Sequence, residues 1–168
     1  MPEVKRLGLI LCFLCAAAVA ADPDDPVPEK WLEGATALPG FPKPENLLEF
    51  FVSAASSNRF FVDGASLSVG ADGVVRYALV IKTAGGATNV SFEGMRCSSA
   101  EYKLYATGRS DGTWAKARAD DWRRIEDKSV NRHHAALYND YFCPDRTPIA
   151  NPAEGRDALR LGKNPRAL

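Results

Sequence analysis

The middle of the chain alternates apolar and polar residues in the manner of β-strands. Over residues 74–83 large apolar side chains recur at every second position. They are Val75, Tyr77, Leu79 and Ile81. A period of two with β-branched and aromatic residues predicts a strand whose large side chains share one buried face.

A second alternating strand is predicted over residues 88–96. Val90 and Phe92 fall on one face of it. Its polar side chains fall on the other face: Asn89, Ser91 and Glu93. We expect Val90 and Phe92, with Leu104, to pack beside the apolar face of the strand at 74–83.

Shorter runs complete a meander. Small and polar residues indicate turns at 71–73, 85–86, 98–100 and 110–112. The other strands are predicted at 47–52, 59–63, 102–108 and 113–117. Strands that follow each other in such a sequence usually pair in space, so we expect an antiparallel sheet of about five or six strands.

The hydrophobic period changes after Trp122. Apolar and aromatic residues then recur at helical spacing: Val130, His134, Leu137, Tyr138 and Tyr141. This predicts a helix over 130–142 that begins at a Ser129 cap, ends before Pro144 and packs on the sheet. Residues 153–161 suggest a further short helix, and 162–168 a flexible tail. The fold class is therefore α+β, with residues 46–161 as its single domain.

Residues 22–45 are acidic and rich in proline, which predicts an extended, irregular segment. Trp31, Leu38 and Phe41 are large apolar side chains in this segment. Exposing all three would be costly, so we expect them to contact the domain.

The first 21 residues have the features of a secretory signal peptide. Lys5 and Arg6 precede an uncharged stretch over residues 7–19, and Ala20 and Ala21 follow as cleavage positions. The apolar stretch is too short to span a bilayer comfortably, so we expect no stable membrane insertion after cleavage. These features predict a periplasmic or cell-envelope protein.

The cysteines refine this prediction. Cys12 and Cys15 each follow a leucine, whereas lipoprotein processing needs a small residue there, so we expect no lipid anchor. Cys97 and Cys143 remain after cleavage. Two cysteines in an exported protein most simply form one disulfide, which would join the end of a central strand to the end of the helix.

Charge argues against one class of partner. The chain has 21 Lys and Arg residues and 21 Asp and Glu residues. Nucleic-acid binding requires a basic surface, so we expect none, and the unknown partner is instead an envelope protein or ligand.

Candidate chemistry is sparse. His133 and His134 could join the cysteines in a zinc site, but adjacent helical residues point about 100° apart, so we expect no metal. The acidic pairs Asp120-Asp121 and Glu126-Asp127 alternate with basic residues and indicate a solvated loop. Ser66, Ser68, Ser91 and Ser98 lack a nucleophile motif. We therefore assign no catalytic or cofactor-binding residue and expect no cofactor.

Aromatic residues leave a further possibility open. Some of them could form an exposed binding patch, although a place in the core is the simpler interpretation. The aromatic residues considered for such a patch are Phe50, Phe51, Phe60, Phe61, Trp114, Trp122, Tyr138 and Tyr141.

Several runs resemble one known family. The residues that carry this similarity are Leu38-Pro39, Phe41-Pro42-Lys43, Asn58-Arg59-Phe60-Phe61-Val62-Asp63, Gly73-Val74-Val75-Arg76-Tyr77, Arg96-Cys97 and Tyr141-Phe142-Cys143-Pro144. They are similar to the uncharacterised bacterial envelope family named after the cryptic neisserial protein, over about residues 30–160. The order of motifs also resembles, more loosely, surface-adhesin protein E-like domains, which are exported sheets with one helix and a disulfide. The resemblance implies location and fold, and no activity.

Two functions stay open. The first is a non-enzymatic binding or interaction module of the cell envelope. The alternative is a periplasmic hydrolase whose site is assembled in space around His134. A pocket that gathers His134 with a serine and a carboxylate would favour the hydrolase, and an exposed apolar sheet face or edge would favour the binding module.

Overall fold

Seven strands dominate the part of the chain that can be described, and the first six pair in the order in which they follow along the chain. The computed structural model describes residues 30–129 and 131–167. The strands are β1 (Leu47–Phe50), β2 (Arg59–Val69), β3 (Val74–Lys82), β4 (Thr88–Arg96), β5 (Glu101–Gly108), β6 (Trp114–Lys116) and β7 (Arg123–Arg124). The sheet is antiparallel with the order β1-β2-β3-β4-β5-β6, and β7 also pairs with β5. The predicted meander is confirmed.

β2 is longer than its apolar run predicted. We expected it to end at Asp63, but pairing with β3 resumes at Ser68 after an irregular step. Ser66 lies within that step, where its hydroxyl donates to the Asp63 carbonyl and accepts from the Ala78 N–H, each at 2.8 Å. A side chain thus replaces part of the backbone ladder.

The predicted helix at 130–142 has two parts. Arg132–Ala136 is α-helix, which we call α1, and Leu137–Phe142 is a π-helical segment. The predicted cap is wrong: Asn131 occupies the cap position, and its side chain makes no cap hydrogen bond. Residue 130 lies outside the described residues.

A second α-helix, α2 (Pro152–Leu161), was predicted to within one residue. Asn151 caps it by accepting from the Glu154 N–H at 3.0 Å, and Pro152 occupies the first turn. Its buried side packs on β1 and β2.

The segment after α2 corrects another prediction. Asn164 lies within the expected flexible tail, yet it is almost fully buried. Its backbone N–H donates to the Asp140 carbonyl at 2.7 Å, and its side-chain amide donates to the Tyr141 carbonyl at 3.2 Å. These bonds satisfy carbonyls of the π-helical segment, where the regular helical pattern ends.

The helices cover one face of the sheet, which we call the helix face. Its core contains Val75, Tyr77, Leu79, Met95, Leu137 and Tyr141, with Ile81 partly buried beside them. The predicted burial of the β3 residues is therefore confirmed.

The predicted face of β4 is wrong. Phe92 pairs with Ala78 and packs with Ala106 on the opposite side of the sheet, and Val90 has the same parity. Consequently Asn89, Ser91 and Glu93 lie on the helix face together with Met95, whereas Val90 and Phe92 do not.

The opposite face is covered by residues 31–43, which we call the N-terminal strap. Trp31 packs edge-on against Trp122 at 5.7 Å, and Phe41 packs against Trp114 at 5.1 Å. The expected contacts of Trp31 and Phe41 are confirmed, whereas Leu38 is 51% exposed and that prediction is wrong. With this cover both faces of the sheet are occupied.

A buried ion pair fastens the strap at the β2–β3 turn. Asp72 accepts two hydrogen bonds from the Arg76 guanidinium and one from the Gly34 N–H of the strap. Burial raises the pKa of Asp72, but these bonds and that from Val74 outweigh it and lower the pKa to about 2. Gly73 completes the predicted turn with φ 75°.

Acidification should therefore loosen this attachment. The folded pKa of Asp72 is depressed, so its stabilisation is present above the unfolded value of 3.8 and is lost as pH falls towards 2. We expect about 2 kcal/mol from this group. Urea unfolding at several pH values checks it: the stability difference between the wild type and Asp72→Asn should shrink from pH 5 downwards. A difference that stays constant with pH would contradict the assignment.

The predicted disulfide is present between Cys97 and Cys143, with Cα atoms 5.3 Å apart. It joins the end of β4 to the end of the π-helical segment, and both cysteines are buried.

Of the helices in the described ranges, none has the length and apolarity needed to cross a membrane. The predicted signal peptide over residues 1–21, its cleavage at Ala20 or Ala21, and Cys12 and Cys15 all lie outside the described residues.

Candidate functional site

A carboxylate and an imidazole are buried together between the sheet and α1. Glu93 on β4 and His134 on α1 each expose about a twentieth of their side chains. His134 Nε2 lies 2.8 Å from Glu93 Oε2. The alternation of β4 directs Glu93 to the helix face, and α1 presents His134 above it.

Three side chains hold the Glu93 carboxylate. Ser91 donates to Oε1 at 2.7 Å, whereas Tyr77 at 3.3 Å and His134 act on Oε2. Burial raises the pKa of Glu93, but His134 and the Ser91 hydroxyl outweigh it and lower the pKa. Burial, and then the charge of Glu93, raise the pKa of Tyr77 well above its ordinary value. Tyr77 therefore stays protonated and donates to an ionised carboxylate.

The imidazole of His134 is fixed on more than one side. Its ring stacks on Tyr102 with centroids 3.8 Å apart. Because an ionised carboxylate can only accept, Nε2 is the donor in the contact with Glu93. The Nδ1 atom of the same ring is buried and finds no hydrogen-bond partner within the described ranges.

This grouping does not have the order of a catalytic triad. In a triad the imidazole lies between the hydroxyl and the carboxylate, so that it can take the hydroxyl proton. Here Glu93 lies between Ser91 and His134, and the Ser91 proton points to a carboxylate. The arrangement fixes side chains, and it does not activate Ser91 as a nucleophile.

His133, next along α1, faces a different environment. Its ring stacks on Phe60 with centroids 5.6 Å apart and lies 4.1 Å from the ring of His134. Burial, then the nearby charge of His134, lower the pKa of His133 to about 4, against a smaller opposing effect of Glu93. His133 is therefore neutral near pH 7, and its side chain is half-buried.

The helix face remains open beyond the N-terminus of α1. A cavity of about 470 Å³ lies there, lined among others by Val52, Phe60, Ile81, Asn89, Arg132 and His133. A second hollow of about 290 Å³ shares Ile81 and Asn89 with it and reaches Ser91, Leu104 and Thr107.

These two hollows are adjacent, since Ile81 and Asn89 line both, and we call them together the transverse groove. Its floor crosses the sheet from Phe60 on β2, through Ile81 on β3 and Asn89 on β4, to Thr107 on β5. Along β4 the side chains on the helix face become progressively more buried: Asn89 is exposed, Ser91 is half-buried and Glu93 is buried. The buried pair thus lies at the inner end of a solvent-open polar row.

The structure brings together only some of the residues that the sequence singled out. His134 and Ser91 meet through Glu93, whereas Ser66 serves the β2–β3 ladder. The sulfur atoms of Cys97 and Cys143 are bonded to each other, so they offer no thiolate to a metal. In residues 30–129 and 131–167 no cluster of three potential metal ligands occurs.

The aromatic residues do not form one exposed patch. Phe50, Phe60, Phe61 and Tyr141 are buried, whereas Phe51 is 66% exposed. The acidic pairs flank the unpredicted strand β7, and Asp127 forms an exposed ion pair with Arg132.

Sequence reasoning missed Glu93 and Tyr102 as site residues. The signal was the run of polar side chains at alternate positions of β4, which becomes informative once both faces of the sheet are known to be covered.

Comparison with known proteins identifies the family. The model of the CNP1-like family matches residues 27–160. The chain belongs to that family. The match confirms the resemblance to the cryptic neisserial protein family, which is uncharacterised. No curated protein and no solved structure matches the chain, so the looser likeness to surface-adhesin protein E-like domains stays a prediction.

Proposed function

We propose that this CNP1-like protein is a non-enzymatic ligand-binding module of the bacterial cell envelope, and that the transverse groove is its binding site. The observation that carries the proposal is an open groove of ligand size over a rigid sheet. Its main hollow falls in the volume range of small-molecule sites.

Side chains in the groove support this proposal. Asn89 is exposed, and neither its amide nor the His133 imidazole has a hydrogen-bond partner among the residues described. Amide and neutral imidazole groups can both donate and accept hydrogen bonds. Val52, Phe60 and Ile81 supply apolar surface beside them. A small number of polar groups converging on an apolar floor is the usual composition of a ligand site.

The envelope location rests on the predicted signal peptide. The hydrolase alternative loses support because Glu93 separates Ser91 from His134. A rigid buried pair beneath the groove instead suits binding, since it fixes the floor without exposing a reactive group.

Titration followed by two-dimensional ¹H–¹⁵N NMR tests the binding site. The mature protein is titrated with three probe sets: soluble peptidoglycan fragments, short peptides and oligosaccharides. We expect at least one set to shift resonances of groove residues selectively. Asn89→Ala should weaken that binding about three- to tenfold, because one hydrogen bond is worth about 1 kcal/mol.

Asn139→Ala is the matched control, since Asn139 is an exposed asparagine on the π-helical segment and outside the groove lining. It should bind as the wild type does. Shifts that avoid the groove would overturn the proposed site. Turnover of 4-nitrophenyl acetate that disappears in Ser91→Ala would overturn the non-enzymatic function.

A further inference from the structure

The main hollow of the transverse groove carries charge of one sign only, whereas the buried Glu93 carboxylate lines the second hollow. Among the residues that line the main hollow, Arg132 carries the one formal charge at neutral pH, and no carboxylate lines that hollow. His133 in the same hollow is neutral there because its pKa is about 4. This end of the groove therefore favours an anionic group.

Arg132 is only partly occupied. Its Nε donates to Asp127 at 3.0 Å, and one terminal nitrogen lies 3.5 Å from Ser53 Oγ. The other terminal nitrogen has no hydrogen-bond partner within residues 30–129 and 131–167. Arg132 is 40% exposed and Asp127 is 71% exposed, so the existing pair is solvated and weak. A ligand carboxylate can accept from the remaining nitrogen.

The stacking of the aromatic rings argues against a sugar ring as the occupant. Phe60 is 7% exposed and stacks on His133, and His133 in turn contacts His134. No open aromatic face is left at this point for a pyranose to stack on. The free surface consists of aliphatic groups and amide or hydroxyl groups, which match the side chains and backbone of a peptide.

The length of the groove agrees with a short peptide. Neighbouring strands lie about 4.8 Å apart, so the three steps from β2 to β5 span about 14 Å. An extended chain rises about 3.4 Å per residue, and the groove accommodates roughly four residues.

We infer that the transverse groove binds the C-terminal end of a short peptide, with its carboxylate at Arg132 and an apolar last side chain against Val52 and Ile81. The inference rests on the proposed binding function and deepens it by naming the ligand class. Asn89 and Ser91 then face the peptide backbone along the floor.

Calorimetric and NMR titrations with matched probes test this inference. The probes are N-acetyl-Ala-Ala-Leu as the free acid, the same peptide as the C-terminal amide, and D-glucuronic acid, which carries a carboxylate but no peptide. We expect the free acid to shift groove resonances with a Kd about tenfold below that of the amide. The preference should shrink at high salt because the pair is partly exposed.

Arg132→Gln should reduce the acid-over-amide preference to about onefold. The matched control is Arg118→Gln, because Arg118 is exposed and lies outside both hollows. It should retain the preference. If Arg132→Gln does not fold, the comparison of acid and amide on the wild type decides the question by itself.

The outcomes separate this inference from the function on which it rests. Equal Kd values for acid and amide at the groove would overturn the carboxylate assignment and leave the groove as a binding site. Glucuronic acid binding as tightly as the peptide acid, or no groove shifts with either peptide, would overturn the peptide assignment. The proposed function itself falls on different results: no groove shift with any of the three wider probe sets, or turnover of 4-nitrophenyl acetate that depends on Ser91.

Discussion

Replacing Glu93 by alanine should lower the free energy of unfolding by about 3–5 kcal/mol, the usual loss when one member of a buried charged pair is removed. The Ser91 and Tyr77 hydroxyls and the His134 imidazole would all lose their acceptor, and Tyr77 and His134 are buried away from water. Urea unfolding at neutral pH, followed by circular dichroism, measures the change.

Two variants make this result specific. Glu93→Gln keeps the shape of the side chain and one carbonyl acceptor, so it should cost less than Glu93→Ala. Glu49→Gln is the control for loss of a carboxylate, because Glu49 pairs with Arg59 at an exposed position and should cost less than about 1 kcal/mol. If Glu93→Ala is no more damaging than Glu49→Gln, the buried pair does not stabilise the helix face.

Removing the disulfide should have the second large effect. We expect the double variant Cys97→Ala/Cys143→Ala to lose about 2–4 kcal/mol of unfolding free energy, because the bridge closes a loop with a sequence separation of 46 residues. The cysteines are buried in the helix-face core, so lost packing adds to the effect.

Three non-glycine residues with positive φ lie near the disulfide, and their backbone strain reduces the expected loss of unfolding free energy. Ala100 follows Cys97, and Asp145 and Arg146 follow Cys143, with φ between 51° and 60°. Such conformations are costly for residues other than glycine, and the open chain can relax them. We therefore expect the loss to stay below the upper end of the range known for native disulfides.

Chemical unfolding of the oxidised wild type, the reduced wild type and the double variant measures this effect. The reduced wild type keeps the side-chain volume and separates the contribution of the cross-link from that of packing. Thiol titration of the folded, oxidised protein should find no free thiol at Cys97 or Cys143. Two reactive thiols, or a double variant as stable as the oxidised protein, would contradict the prediction.

The strands were predictable because period-two alternation is a local signal. β3 and β4 began and ended within a residue of their predicted limits. The face that each strand buries was less predictable. Phe92 is a core residue as expected, but in the cluster beneath the N-terminal strap, and the half-buried Val90 lies on the same side of the sheet. Alternation shows which residues share a side, and only the tertiary structure shows what covers that side.

The candidate site could not be predicted for the same physical reason. Glu93 has the sequence context of a solvent-facing strand residue, and its burial depends on α1, which is 41 positions further along the chain. The π-helical segment was also beyond local rules, since Tyr138 and Tyr141 have ordinary helical spacing. Asn164 makes hydrogen bonds to that segment from beyond α2, a contact that no local pattern in the tail indicated.

The N-terminal strap has a spectroscopic consequence. The chain contains three tryptophans, and all of them lie where the strap meets the sheet. Trp31 belongs to the strap, Trp122 packs against it, and Trp114 packs on Phe41 and donates its indole N–H to the Pro39 carbonyl. Tryptophan fluorescence therefore reports selectively on detachment of the strap. The helix face and the transverse groove contain no tryptophan, so changes confined to them should leave this fluorescence unaltered.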